Sequence, residues 1–190
     1  MFQIRIHGRG GQGVVTAAEL LSVAAFLEGE HAQAFPSFGS ERTGAPVVSF
    51  CRIDDKEIRL REPILEPDAL IVQDPTLFKA MDVFQGLKQD GYLLVNTNKS
   101  LDELDLTAIV EKLPAGHARA VPASELAVKF IGRPVPNAAL LGAFSALTGL
   151  IHLKSVATAI REAFPGKIGE ANVAAATAAH AAIGGTSAAA

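Results

Sequence analysis

The feature that most constrains this chain is HGRGGQG, residues 7–13, set between two runs of different hydrophobic period. Before it, Phe2, Ile4 and Ile6 alternate with polar residues, the pattern of a short strand. After it, Val14, Ala17, Ala18, Leu21, Ala24 and Ala25 mark one face of a helix predicted over 14–28, and Gly29 supplies its C-terminal stop. A strand, a glycine turn and a helix leave the first helical N–H groups unpaired and aim the positive end of the helix dipole at the turn, which makes an anion site. Gly8, Gly10 and Gly13 satisfy the G-x-G-x-x-G spacing of dinucleotide loops. Gly10 and Gly11 admit a phosphate close to the backbone, Gly13 lets helix and strand pack tightly, and Arg9 can add a charge-assisted contact. The motif alone leaves three readings: a nicotinamide loop, another phosphate cradle, or a packing turn that binds nothing.

The nicotinamide reading requires an acidic residue at the end of the second strand to hold the ribose hydroxyls. The run 31–35 leads into Pro36, Ser37 and Phe38, while Glu28 and Glu30 lie before it, so that reading is disfavoured. An adenylating enzyme can use a similar loop, but it needs a charged constellation around a triphosphate that is not evident here, and the zinc site many of them carry needs several thiolates. Cys51 is the only cysteine. It allows no disulfide within the chain and no zinc or iron–sulfur centre held by the chain's own thiolates, and it predicts a cytoplasmic setting. A net charge of −3 provides no global basic field for nucleic acid. No apolar run reaches the ~18 residues of a membrane span. With 49% hydrophobic and 19% charged residues, the surplus apolar surface predicts contact with other subunits.

Further along, 31–35 and 47–53 read as strands, Asp54-Asp55-Lys56 as a turn, and 57–60 as the return strand of a hairpin. PDALIVQD (67–74) and GYLLVNT (91–97) are apolar runs with polar ends, as in buried parallel strands. Helices are predicted at 77–87, 104–113 and 124–131, with a short strand at 118–121. Beyond Pro136, Asn137 opens a helix bearing Leu140, Leu141, Phe144 and Leu147, followed by helices at 155–164 and 167–183. The fold class is α/β, with a mixed, largely parallel sheet, flanking helices, a β-hairpin insertion and a C-terminal helical segment. It is read as one domain over 1–183, divided into an α/β core (1–135) and a helical segment (136–183), with a flexible tail at 184–190. Ligands of such sheets collect at the carboxyl ends of parallel strands, which here hold the glycine loop, Asp74, Asn96 and Thr97. Caps and turns account for the last three equally well. His7 is read as structural, Cys51 as a buried apolar residue, and His152 and His180 as unrelated to metal.

AQAFPSFGSERTGAPV (32–47) joins aromatic residues to a Glu41-Arg42 pair in a loop too long for a hairpin turn. Together with HGRGGQGVVTAAELL, PDALIVQDPTL, LLVNT and GRPVPNAALLGAF, in order from residue 2 to 183, it resembles the gamma subunit of 2-oxoacid:acceptor oxidoreductases, such as the pyruvate:ferredoxin and 2-ketoisovalerate:ferredoxin enzymes. The resemblance implies a complex that oxidatively decarboxylates a 2-oxoacid to an acyl-coenzyme A and passes electrons to ferredoxin or NAD. The 2-oxoacid is pyruvate-like, branched-chain or aryl, phenylglyoxylate included. Thiamine diphosphate, magnesium and iron–sulfur clusters would sit in partner alpha, beta and ferredoxin-like delta subunits, so this chain would not catalyse alone. The resemblance associates the gamma unit with coenzyme A access, and the contacts expected here are Arg9, Gly10, Gly11, Gln12, Gly13, Ser40 and Arg42. One departure is Thr43, where the family often carries a second arginine. The alternative is a stand-alone Rossmann-like module that binds NAD or ATP.

Overall fold

The computed structural model describes residues 1–37 and 43–186. Six strands form one sheet: β1 (Phe2–Arg9), β2 (His31–Pro36), β3 (Pro46–Asp54), β4 (Ala69–Val72), β5 (Tyr92–Asn96) and β6 (Ala118–Val121), in the order β2-β3-β1-β4-β5-β6. β1 pairs in parallel with β4, β4 with β5 and β5 with β6, whereas β3 runs antiparallel to both β1 and β2. The helices are α1 (Val14–Leu27), the single turn α2 (Thr107–Val110), α3 (Ala123–Ile131), α4 (Asn137–Thr148), α5 (Leu153–Ala163) and α6 (Lys167–Thr186).

The two-residue period of the strands divides the core. Ile4, Ile6, Cys51, Ala69, Ile71 and Leu94 are buried on one face against α1, α4, α5 and α6. Leu70, Val72, Leu93 and Val95 point to the other face, where Leu77, Val83 and Leu106 of the crossovers cover them. α1 ends in a Schellman motif: the Gly29 N–H donates to Phe26 O (3.0 Å) and the Glu30 N–H to Ala25 O (3.2 Å), with Gly29 at φ 88°. Its successor β2 is parallel to β1 but lies at the sheet edge, because β3 occupies the place between them.

That insertion corrects one sequence expectation. Residues 57–60 form no strand, since β1 and β2 already take both edges of β3; the antiparallel ribbon is β2 with β3. The helix expected at 77–87 is a 3₁₀ turn, Pro75–Lys79, followed by irregular turns. The helix expected at 104–113 is broken into a 3₁₀ turn (Asp102–Leu104) and α2 by Asp105, which adopts φ 59°. The last helix extends past 183 to Thr186.

α4 and α6 touch backbone to backbone: a β-carbon on Gly142 would overlap the Ala176 carbonyl. Opposite that layer, Arg5 is buried under β1. Its Nε donates to His7 Nε2 (3.0 Å), and its Nη atoms reach the carbonyls of Ile64 (3.3 Å), Val83 (3.0 Å) and Gln85 (2.6 Å). His7 is therefore held neutral, its pKa lowered to about 3 by burial and by the Arg5 charge.

Two predictions follow from this packing. Gly142→Val should destabilise the chain by about 1–3 kcal/mol, read as a lower urea midpoint, because the helices cannot separate without exposing their small-residue seam. His7 should make the fold acid-sensitive. The unfolded imidazole takes a proton near its ordinary value of 6.5 and the folded one does not until about 3, so stability falls as pH drops through that window. Between pH 7 and 4 the loss from this group should be roughly 2–3 kcal/mol. His7→Gln, which keeps an acceptor for Arg5, should flatten the pH dependence of unfolding by that amount; an unchanged slope would show that His7 is not held neutral.

Candidate functional site

The glycine loop is fixed by its own residues. Gly10 donates to Ala45 O (2.9 Å), Gly44 donates back to Gly10 O (3.1 Å), and Thr43 bridges Gly10, so segment 43–45 clamps the turn from outside. Gly11 and Gly13 hold φ 94° and 72°, which favour glycine. Gly8 lies against Val14 and Gln73, and a β-carbon on Gly13 would come within 2.6 Å of Asn137 Nδ2. A β-carbon on Gly11 would meet nothing, so this peptide faces open space. Gly13 is the N-cap of α1 and offers no side chain, so the first turn of α1 carries uncapped N–H groups.

The expected contacts Arg9, Gly10, Gly11, Gln12 and Gly13 are thus brought together, but two of them face inward. Gln12 Oε1 accepts the Arg9 N–H (2.8 Å) and its Nε2 donates to Asp74 Oδ2 (2.9 Å). Arg9 Nε lies 3.2 Å from Asp74 Oδ2, and the same guanidinium donates to Thr76 Oγ1 (2.8 Å) and Gly44 O (3.0 Å). Arg9 and Gln12 therefore brace the loop from behind. For Asp74, burial would raise the carboxyl, but hydrogen bonds from Thr76 and Gln12 and the Arg9 charge outweigh it and hold its pKa below the ordinary value. Ser40 and Arg42 lie outside the described residues.

A cleft lies on each side of the loop. One, of about 340 Å³, opens at the carboxyl ends of β4 and β5 and is lined by Gln12, Gln73, Asp74, Asn96, Ser124 and Glu125, among others. Asn96 is fully used there: Nδ2 donates to Gln73 O (2.8 Å) and Ser124 Oγ (2.8 Å), and Oδ1 accepts the Ser124 N–H (3.0 Å). The buried Gln73 amide has no partner among the described residues. The other cleft, of about 390 Å³, lies between the start of α1 and the α3–α4 connection, with Gly11, Gly13, Thr16, Arg133, Asn137 and an apolar wall of Val135, Phe164 and Ile168. Sequence reasoning singled out Asp74, Asn96 and Asn137 but missed Gln73, Ser124, Glu125 and Arg133. The polar end of the QDPT run was a signal for Gln73; Arg133 carried none.

The remaining candidates fall elsewhere. His7 points to the sheet face opposite Ile6, away from the loop, with Nδ1 unpartnered. His152 pairs with Glu28 (2.8 Å). Cys51 is fully buried, and burial pushes its thiol up to about 12, so it is unreactive as a ligand. Among the described residues no group of three or more His, Cys, Asp or Glu could hold a metal ion, and no helix is long and apolar enough to cross a membrane. With β3 between β1 and β2, the end of β2 lies two strand spacings, about 10 Å, from β1, where a ribose-holding acid cannot serve this loop.

The chain is similar to known proteins over most of its length. The family model described as pyruvate ferredoxin/flavodoxin oxidoreductase matches residues 3–182. The common subunit gamma of the pyruvate/ketoisovalerate oxidoreductases of Pyrococcus abyssi is 49% identical over 178 residues, covering 93% of this chain and 94% of that protein. The crystal structure of the pyruvate oxidoreductase subunit PORC of Thermotoga maritima superposes with a TM-score of 0.78 at 36% identity, covering 94% of each chain. A 2-oxoglutarate:ferredoxin oxidoreductase of Magnetococcus marinus, solved with 2-oxoglutarate, coenzyme A and succinyl-CoA bound, shares the fold alone. Its TM-score is 0.74 at 18% identity, over 97% of this chain and 31% of that one. The chain belongs to the pyruvate ferredoxin/flavodoxin oxidoreductase family, as a gamma-type subunit of a 2-oxoacid:ferredoxin oxidoreductase.

Proposed function

We propose that this subunit handles coenzyme A for a complex that oxidatively decarboxylates a short 2-oxoacid, pyruvate or ketoisovalerate, to its acyl-coenzyme A in the cytoplasm. The observation that carries the reading is the uncapped start of α1 beside the open Gly11 peptide. Backbone N–H groups at a helix N-terminus, fixed before any ligand arrives, suit a phosphate and need no reorganisation to receive it. Arg9, Gln12 and Gly10 keep that turn in shape, and Gly11 and Gly13 face the ligand; Ser40 and Arg42, outside the described residues, are proposed as further contacts.

The chemistry of oxidation belongs to partners. A single buried cysteine does not fit an iron–sulfur centre held by this chain's own thiolates. Alpha, beta and ferredoxin-like delta subunits hold the thiamine diphosphate, magnesium and iron–sulfur groups and pass the electrons to ferredoxin. This chain binds and orients the acyl acceptor.

In the assembled complex, Gly11→Val should raise KM for coenzyme A about tenfold, the effect of losing a charge-assisted contact, while KM for the 2-oxoacid stays unchanged. An unchanged KM for coenzyme A in an intact complex would overturn the reading. Purification of the tagged chain from its host should bring down thiamine- and cluster-bearing subunits; recovery as an active monomer would contradict it.

A further inference from the structure

The loop has a cleft on each side, and their chemistry is opposite. The one at the ends of β4 and β5 presents Glu125 and an Asp74 carboxylate that Arg9 balances, and its lining holds no cationic side chain. The one at the start of α1 presents Arg133, whose guanidinium makes no ion pair or hydrogen bond with any described residue. It also presents Asn137, which is only 3% exposed. Asn137 Oδ1 accepts the Ala138 N–H (2.9 Å), but Nδ2, held against Gly13, has no acceptor among the described residues. Asn137 lines the cleft, so this donor is open to a ligand there. Here the unpaired donor, the free cation and the uncapped N–H groups of α1 converge on one space.

We propose that this second cleft is where the phosphate-bearing end of the ligand sits, with Arg133 as its counter-charge and Asn137 Nδ2 as a fixed donor. The inference rests on the reading that the chain handles coenzyme A, and it assigns the charged role to Arg133 in place of Arg9, which Asp74 already holds. The ligand class is a nucleotide-linked thiol: phosphate at the α1 end, less polar arm along Val135, Phe164 and Ile168. The GRPVPN segment, which places Arg133 and Asn137 on either side of two prolines, is then a recognition element as well as a connection between α3 and α4.

The test is ligand binding by the assembled complex. In equilibrium dialysis, Arg133→Gln should weaken coenzyme A binding about tenfold or more. Pantetheine, the same arm without phosphate, should bind the Arg133→Gln complex as it binds the unaltered one, and Arg133→Lys should recover part of the coenzyme A affinity. Arg133 is exposed, so its replacement leaves the core intact. Unchanged coenzyme A affinity in Arg133→Gln, or an equal loss for pantetheine, would overturn the proposal. Gly11→Val measured alongside separates the two readings. If it weakens coenzyme A binding and Arg133→Gln does not, the cleft assignment fails and the coenzyme A reading stands; if neither does, both fail.

Discussion

The parallel pairing of β1 with β4 is the constraint on which the rest of the molecule depends. It joins Ile4 to Ala69 and His7 to Val72 and continues one step further, where the Gln73 N–H donates to His7 O at 2.7 Å. Beyond that bond the two chains part: β1 turns through the glycines into α1 on one face, and β4 turns through Pro75 towards the other. Asp74 spans the gap. It caps the Pro75–Lys79 turn through the Thr76 N–H (3.0 Å) while receiving Gln12 and Arg9 from the loop. A crevice at the carboxyl end of parallel strands, where the chain changes face, is the usual place for a ligand in an open α/β sheet, and one carboxylate fixes both of its lips.

The same topology explains why a dinucleotide-like glycine spacing does not make a dinucleotide site. In a nicotinamide fold the second strand lies beside the first, and its terminal acid reaches the ribose. Here β3 has entered between them as an antiparallel strand, and the segment that leads into it, 43–45, grips Gly10. The turn is held from a side that a dinucleotide would need. Thr43 sits in that grip, so a charge at this position would stand beside the loop.

Much of this was legible in the sequence because it depended on local period. The alternation of Phe2, Ile4 and Ile6, the helical stripe from Val14 to Ala25 and the Gly29 stop all appear where residue pattern places them, and so do β4, β5 and the helices after Pro136. What was illegible depended on partners distant in the chain. Residues 57–60 have strand-like composition but no free edge of β3 to join, because β1 and β2 take both. The apolar spacing at 77–87 and 104–113 is that of a helix, yet the left-handed Asp105 and the short span between packed strands leave room only for turns. Of the site, the glycines could be read directly. The commitment of Arg9 to Asp74 could not, since it joins residues far apart in sequence, and neither could the placement of Arg133 opposite Gly11.

That last juxtaposition decides how the loop divides its surroundings. An anion meets two kinds of field around Gly11–Gly13. On the β4–β5 side it meets Glu125 and an Asp74 already paired with Arg9, with no cationic side chain in the lining. On the α3–α4 side it meets the positive end of α1 and a guanidinium that nothing described neutralises. Two unit charges at 4 Å interact by about 4 kcal/mol at the effective dielectric of a protein surface, so one misplaced carboxylate cancels what one arginine supplies. The loop backbone is shared by both clefts and cannot choose between them; the side chains that flank it do.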